Sequence, residues 1–166
     1  AHAYVQAFGN DYDACLNLAK TYPNNVSYLL DTYDVINSGV PAVIKVNNEF
    51  LKPIGEYVKS VRLDSGDLAY LSKKVRKMLD EAGMQDTKIV VSNSLDEYTI
   101  EDLIRQKAPI DNFGIGEKLI TSKSCPIFGA VYTLAEFEGK SRIKVSENAE
   151  KITNPGFKKV IRIFDK

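Results

Sequence analysis

The chain has one histidine, two cysteines, no net charge and no long apolar run, and each scarcity removes a class of function. Basic and acidic side chains balance at 22 each, so no global field draws in a polyanion. Nucleic acid and membrane surfaces are excluded as partners on that ground, and any phosphate binding must be local. No apolar stretch approaches the ~20 residues of a membrane span, and no signal peptide or lipidation motif is visible. A soluble, cytoplasmic protein is expected. Cys15, on the apolar face of a predicted helix, and Cys125, in a loop, do not make a disulfide framework, which fits a reducing compartment. Repeats and low-complexity segments are lacking too. The 166 residues suit one domain with its own core. They open on Ala1-His2-Ala3-Tyr4, without an initiator Met and as if in the middle of an element, so a piece excised from a longer protein is expected.

What is present is alternation. Val5, Phe8, Tyr12, Cys15, Leu16 and Ala19 recur at helical spacing, with a break at Gly9-Asn10, a fresh N-cap at Asn10 and a stop at Pro23. Val26 to Leu30 is a short apolar run of the kind buried on both faces of a parallel sheet, and it ends in Asp31-Thr32. A helical stretch broken near Gly39 and Pro41 follows. A strand from Tyr57 to Leu63 then ends in Asp64-Ser65-Gly66-Asp67. Leu68, Leu71, Val75, Met78, Leu79 and Ala82 form a helical stripe closed by Gly83. A third strand, Lys88 to Val91, ends in Ser92-Asn93. Ser94 and Glu97 have capping-box spacing for a helix to about Lys107, which Pro109 stops. A fourth strand at Asn112-Phe113 runs into Gly114-Ile115-Gly116.

Strand alternating with helix four times predicts an α/β fold, a parallel (TIM-like) barrel segment over residues 1–126. From Phe128 the rhythm becomes antiparallel. Strands at Ala130 to Phe137, Arg142 to Val145 and Val160 to Phe164, with a Glu138-Gly139 turn, predict a β appendage over residues 127–166.

Each predicted parallel strand ends in small, polar or charged residues, and in such sheets the functional groups line the rim at the carboxyl ends of the strands. Any one of these clusters also suits simple capping of the next helix. Gly114 and Gly116 let backbone N–H groups approach a phosphate. The Asp64 to Asp67 turn suits ribose hydroxyls or a hydrated Mg²⁺, and no residue is assigned as a metal ligand. A lone histidine is usually incidental. His2, read as the end of a preceding strand, would face the rim beside Asp31, where a carboxylate fixes the tautomer of an imidazole and stabilises charge on it.

Several of these runs together resemble nicotinate phosphoribosyltransferases. They are Leu30-Asp31-Thr32-Tyr33-Asp34 with Ser38-Gly39-Val40-Pro41, Val61-Arg62-Leu63-Asp64-Ser65-Gly66-Asp67-Leu68, and Val91-Ser92-Asn93-Ser94-Leu95-Asp96-Glu97. Phe113-Gly114-Ile115-Gly116 with Leu119-Ile120-Thr121-Ser122, Gly129-Ala130-Val131-Tyr132, and Glu147 through Gly156 continue the likeness in order along the chain. The resemblance implies formation of nicotinate mononucleotide and pyrophosphate from nicotinate and phosphoribosyl pyrophosphate, the first step of NAD salvage from nicotinate. It further implies ATP hydrolysis through a phosphohistidine, with Mg²⁺ as cofactor, and a homodimer. On this resemblance His2 is the phosphate acceptor, Asp31 orients it and Arg62 meets the nicotinate carboxylate. Asp64, Ser92 and Asn93 hold the ribose, and Gly114 and Gly116 form the 5′-phosphate loop.

Departures are Glu117, where relatives commonly carry a hydroxyl residue, and Thr133 and Cys125, where a lysine and a polar residue are common. The family's N-terminal region, with its ring-stacking aromatic, is expected to be missing. Two alternatives stand beside this reading, the nicotinamide-specific relative and a phosphate-binding fragment without turnover.

Overall fold

The computed structural model describes residues 1–121, 131–145 and 151–164. Cys125, the expected domain boundary at 126/127, the start of the strand expected from Ala130 and the Glu147 to Glu150 run lie outside the described residues. Helix α1 (His2–Phe8) ends on Gly9 at φ 79°, a left-handed conformation that glycine adopts without a Cβ penalty. Helix α2 (Asp11–Thr21) restarts at Asn10, whose side chain accepts from the Asp13 N–H as predicted. His2 therefore begins a helix and does not end a strand, a correction to the sequence reading.

Strands β1 (Ser27–Leu29), β2 (Ser60–Leu63), β3 (Lys88–Val91) and β4 (Asn112–Phe113) form one parallel sheet in the order β1-β2-β3-β4. Helix α4 (Leu68–Glu81) lies between β2 and β3, and α5 (Glu97–Arg105) between β3 and β4. Such crossovers bury the side of the sheet they cover. Tyr28, Leu30, Val61, Leu63, Ile89 and Val91 pack there with Val75 and Leu79 of α4, and Met78 and Ala82 join as partly buried neighbours. The other face carries Leu29, Arg62 and Val90 in lateral register, all half-buried. β1 is thus covered on one face, not on both as expected. The sheet is parallel as predicted, and among the described residues its four strands do not close on themselves.

Gly39 and Pro41 do not break the helical run that follows β1. A π-helical turn (Val35–Gly39) leads straight into α3 (Val40–Val46). Gly39 permits this because any Cβ there would lie 2.3 Å from the Leu30 carbonyl oxygen. Pro41 stands where the π-helical turn passes into α3, so its missing N–H falls at the junction of the two hydrogen-bond patterns.

The tail is also more modest than expected. Among its described residues only β5 (Glu136–Phe137) and β6 (Lys140–Ser141) pair, antiparallel across the predicted Glu138-Gly139 turn. Beyond them, the Lys144 carbonyl accepts from the Thr153 N–H and the Lys144 N–H donates to the Thr153 hydroxyl instead of extending the hairpin, and Val160 to Phe164 forms no strand among the described residues. The short helix α6 (Glu117–Ile120) follows β4.

Candidate functional site

The parallel register brings the carboxyl ends of β1, β2 and β3 together, so three loops meet α1 at one rim. His2 enters from the first turn of α1. Its Nδ1 lies 3.1 Å from the Thr32 hydroxyl, and its Nε2 faces two carboxylates, Asp64 Oδ2 at 3.8 Å and Asp31 Oδ1 at 4.0 Å. Both distances suit an ion pair and exceed a hydrogen bond. Asp31 is buried and accepts from the Ser65 hydroxyl and from the Asp64 backbone N–H, both at Oδ2, and its Oδ1, on the His2 side, has no hydrogen bond among the described residues. Gly66, at φ 77°, makes the turn that carries Ser65 under Asp31.

Asp64 is the more accessible carboxylate. Burial alone would raise its carboxyl, but His2, the Ser92 hydroxyl and the Arg62 guanidinium outweigh that and hold it at about 2. The Ser92 bond, at 2.6 Å, is the firmest of these contacts. Asn93 and Ser94 follow with φ of 96° and 51°, conformations that side-chain-bearing residues rarely hold and that cluster at functional sites.

The sequence reading named His2, Asp31, Asp64, Ser92 and Asn93 for this rim, and these five do converge. Arg62 stands on β2 with its Nε buried and without a hydrogen-bond partner among the described residues, and it belongs to neither of the two clefts beside the rim. Gly114 is placed by packing, since a Cβ there would meet the Ser92 side chain at 3.3 Å, and its N–H is already given to the Val91 carbonyl at 2.7 Å. Gly116 has open space around it and begins α6.

Three lysines were missed. Lys144, Lys151 and Lys158 line a cleft of about 510 Å³ with His2 and Asp64. Lys151 donates to Asn93 Oδ1 at 2.6 Å and to the Asp64 carbonyl oxygen at 3.5 Å, so it ties the tail to the rim. Lys144 is 5% exposed, with no acidic partner among the described residues. An electroneutral chain thus carries a locally cationic cleft, chemistry suited to an anion with several phosphate oxygens. The usable signal lay in the run Lys151-Ile152-Thr153-Asn154-Pro155-Gly156, where a lysine precedes a turn.

A second cleft of about 500 Å³ opens on the other side of Asp31, along Tyr33, Asp34, Asn37, Ser65 and Tyr70. Among the described residues no group of three or more His, Cys, Asp or Glu could hold a metal ion, and no helix is long and apolar enough to cross a membrane.

No protein-family model matches the chain. Over 99% of its length it is 50% identical to a nicotinate phosphoribosyltransferase of Bacillus subtilis, covering 34% of that protein. Over 88% of its length it is 46% identical to one of Dictyostelium discoideum, covering 26% of it. The chain therefore spans about a third or less of the relatives it matches. In fold it is similar to the crystal structure of a nicotinate phosphoribosyltransferase from Porphyromonas gingivalis, with a TM-score of 0.63 and 21% identity, over 92% of this chain and 42% of that one.

Proposed function

We infer that this chain belongs to the nicotinate phosphoribosyltransferases, as the segment that carries the histidine, the ribose-facing carboxylate and a cationic cleft. In this reading the whole protein makes nicotinate mononucleotide and pyrophosphate from nicotinate and phosphoribosyl pyrophosphate. The observation that carries it is the meeting of His2, Asp31 and Asp64, from α1, β1 and β2, at the mouth of the lysine-lined cleft.

The geometry supports coupling to ATP through His2. Two carboxylates on the Nε2 side favour the tautomer protonated there, which leaves the Nδ1 lone pair as the nucleophile. The Thr32 hydroxyl, 3.1 Å away, donates to Nδ1 while it waits. Attack on the terminal phosphorus of ATP would form the N–P bond as the bond to the ADP oxygen breaks. The carboxylates would then stabilise the positive ring.

Asp64, held ionised, suits a sugar that develops oxocarbenium charge, and Ser92 fixes the orientation of its carboxylate. Lys144, Lys151 and Lys158 would hold the phosphates, and Arg62 would read the nicotinate carboxylate with a planar fork. Mg²⁺ would arrive with the diphosphate, since the described residues offer no cage of their own, and Asp64 is the carboxylate placed to meet it. When bound it offsets charge on the departing pyrophosphate. The same reading includes closure of the sheet into a barrel in the longer protein, a division near 126/127, a homodimer and a cytoplasmic location.

The test is made on the full-length protein. Nicotinate, phosphoribosyl pyrophosphate and ATP should yield nicotinate mononucleotide, with nicotinamide a poor substitute. His2→Ala should remove acid-labile label taken up from γ-³²P-ATP and uncouple ATP hydrolysis from nucleotide formation. Equal turnover of nicotinamide would overturn the substrate, and undiminished labelling would overturn the role of His2.

A further inference from the structure

Gln6 is 1% exposed, and neither its Nε2 nor its Oε1 has a hydrogen-bond partner among the described residues. A primary amide offers two N–H donors and two lone pairs, and buried groups of this kind are nearly always satisfied. Leu or Met would fill the same volume without desolvating an amide, so packing does not account for this residue. Its position indicates where a partner can sit. Gln6 follows His2 by four residues on α1, which puts the two side chains on one face, about 6 Å apart along the axis. It lines the same cleft as His2, Asp64, Lys144 and Lys151.

We propose that Gln6 is a substrate-binding residue, whose amide N–H donates to a phosphate oxygen of the ligand held beside His2. This deepens the functional reading above and rests on it. The surrounding charge selects the ligand class. Lys151 and the buried Lys144 favour an anion, and a neutral donor in the same cleft adds a hydrogen bond without changing the balance. A phosphate oxygen of such a ligand is the acceptor that the buried amide lacks among the described residues.

Gln6→Met in the full-length protein keeps the volume and removes both polar ends. Losing one such bond should raise the KM for phosphoribosyl pyrophosphate and the Kd for inorganic pyrophosphate, measured by titration calorimetry, roughly tenfold. The KM for nicotinate should change less than about twofold. The melting temperature without ligand should hold or rise, because a buried unpaired amide has been removed. Gln6→Glu, which sets a like charge against the anion, should weaken pyrophosphate binding further. Unchanged pyrophosphate affinity in either folded variant would overturn the proposal. So would a fall in melting temperature accompanied by equal losses for both substrates, the signature of packing alone. If the wild-type protein binds pyrophosphate but does not turn over nicotinate, the functional reading fails, and the calorimetric comparison still decides the role of Gln6.

Discussion

Arg62 and Asp64 are two residues apart on and just after β2, so strand alternation sets both on the face that the helices leave open. Proximity explains why the guanidinium helps to keep Asp64 ionised. It also explains why an arginine can stand there with a buried Nε that no described group satisfies. If Arg62 reads the nicotinate carboxylate, Arg62→Lys keeps the charge and loses the fork. A lost hydrogen bond to a charged group costs ~1.5 to 3 kcal/mol, so the KM for nicotinate should rise roughly ten- to hundred-fold. The KM for phosphoribosyl pyrophosphate should move much less. Parallel losses for both substrates with a lower melting temperature would make Arg62 structural. Motif likeness made this residue legible. The Lys151 contact with Asn93, which spans 58 positions, was not legible, because spacing carries no information about pairs that only folding brings together.

At the level of single elements, the start of α5 separates pattern from geometry. Ser94 and Glu97 have capping-box spacing, yet the cap is Asp96, whose Oδ1 accepts from the Thr99 N–H at 2.9 Å and from the Thr99 hydroxyl at 2.7 Å. Ser94, at φ 51°, is part of the turn before the helix. Asp96 also pairs with Lys118 at 2.8 Å, and its carboxyl is pulled well below the usual range by Lys118 first and the Thr99 bonds next. Asp96→Ala should therefore lower the urea midpoint clearly, through loss of both the cap and the ion pair, while Ser94→Ala should leave it nearly unchanged. Urea unfolding of both variants checks this, and the reverse ranking would restore Ser94 as the cap. The helix itself was legible from its apolar positions. The cap was not, since Ser94 fits the spacing, Asp96 two residues on can cap as well, and only backbone direction selects one.

For the molecule as a whole, the core joins the helix-covered face of the sheet to α2, α3 and α4, and Cys15 of α2 lies within it. Its thiol is pushed up to about 12, first by burial and then by the nearby Asp11 charge. A thiol so protonated and enclosed reacts only when the core opens. Iodoacetamide labelling of Cys15 at pH 8, followed by mass spectrometry at that site, should be slow under native conditions. It should accelerate in step with global unfolding in urea. Labelling at the rate of an unfolded peptide in native buffer would show that α2 is not held against the sheet.

The sequence by itself determined the parallel α/β rhythm. Apolar runs of four or five residues cannot be helices of useful length, and amphipathic stripes between them cannot be strands. It placed β3 and β4 at their observed residues, and it put polar groups at every strand end, because a chain leaving a parallel sheet must turn and cap the next helix. The tertiary structure alone decided which strand ends share a wall, that His2 reaches them from a helix, and that the face bearing Leu29, Arg62 and Val90 stays open. It also decided that lysines 144, 151 and 158 converge on one cleft in a chain without net charge. Those outcomes depend on distances between residues far apart in sequence, which follow from the register of the sheet and the close approach of Gly39 to Leu30.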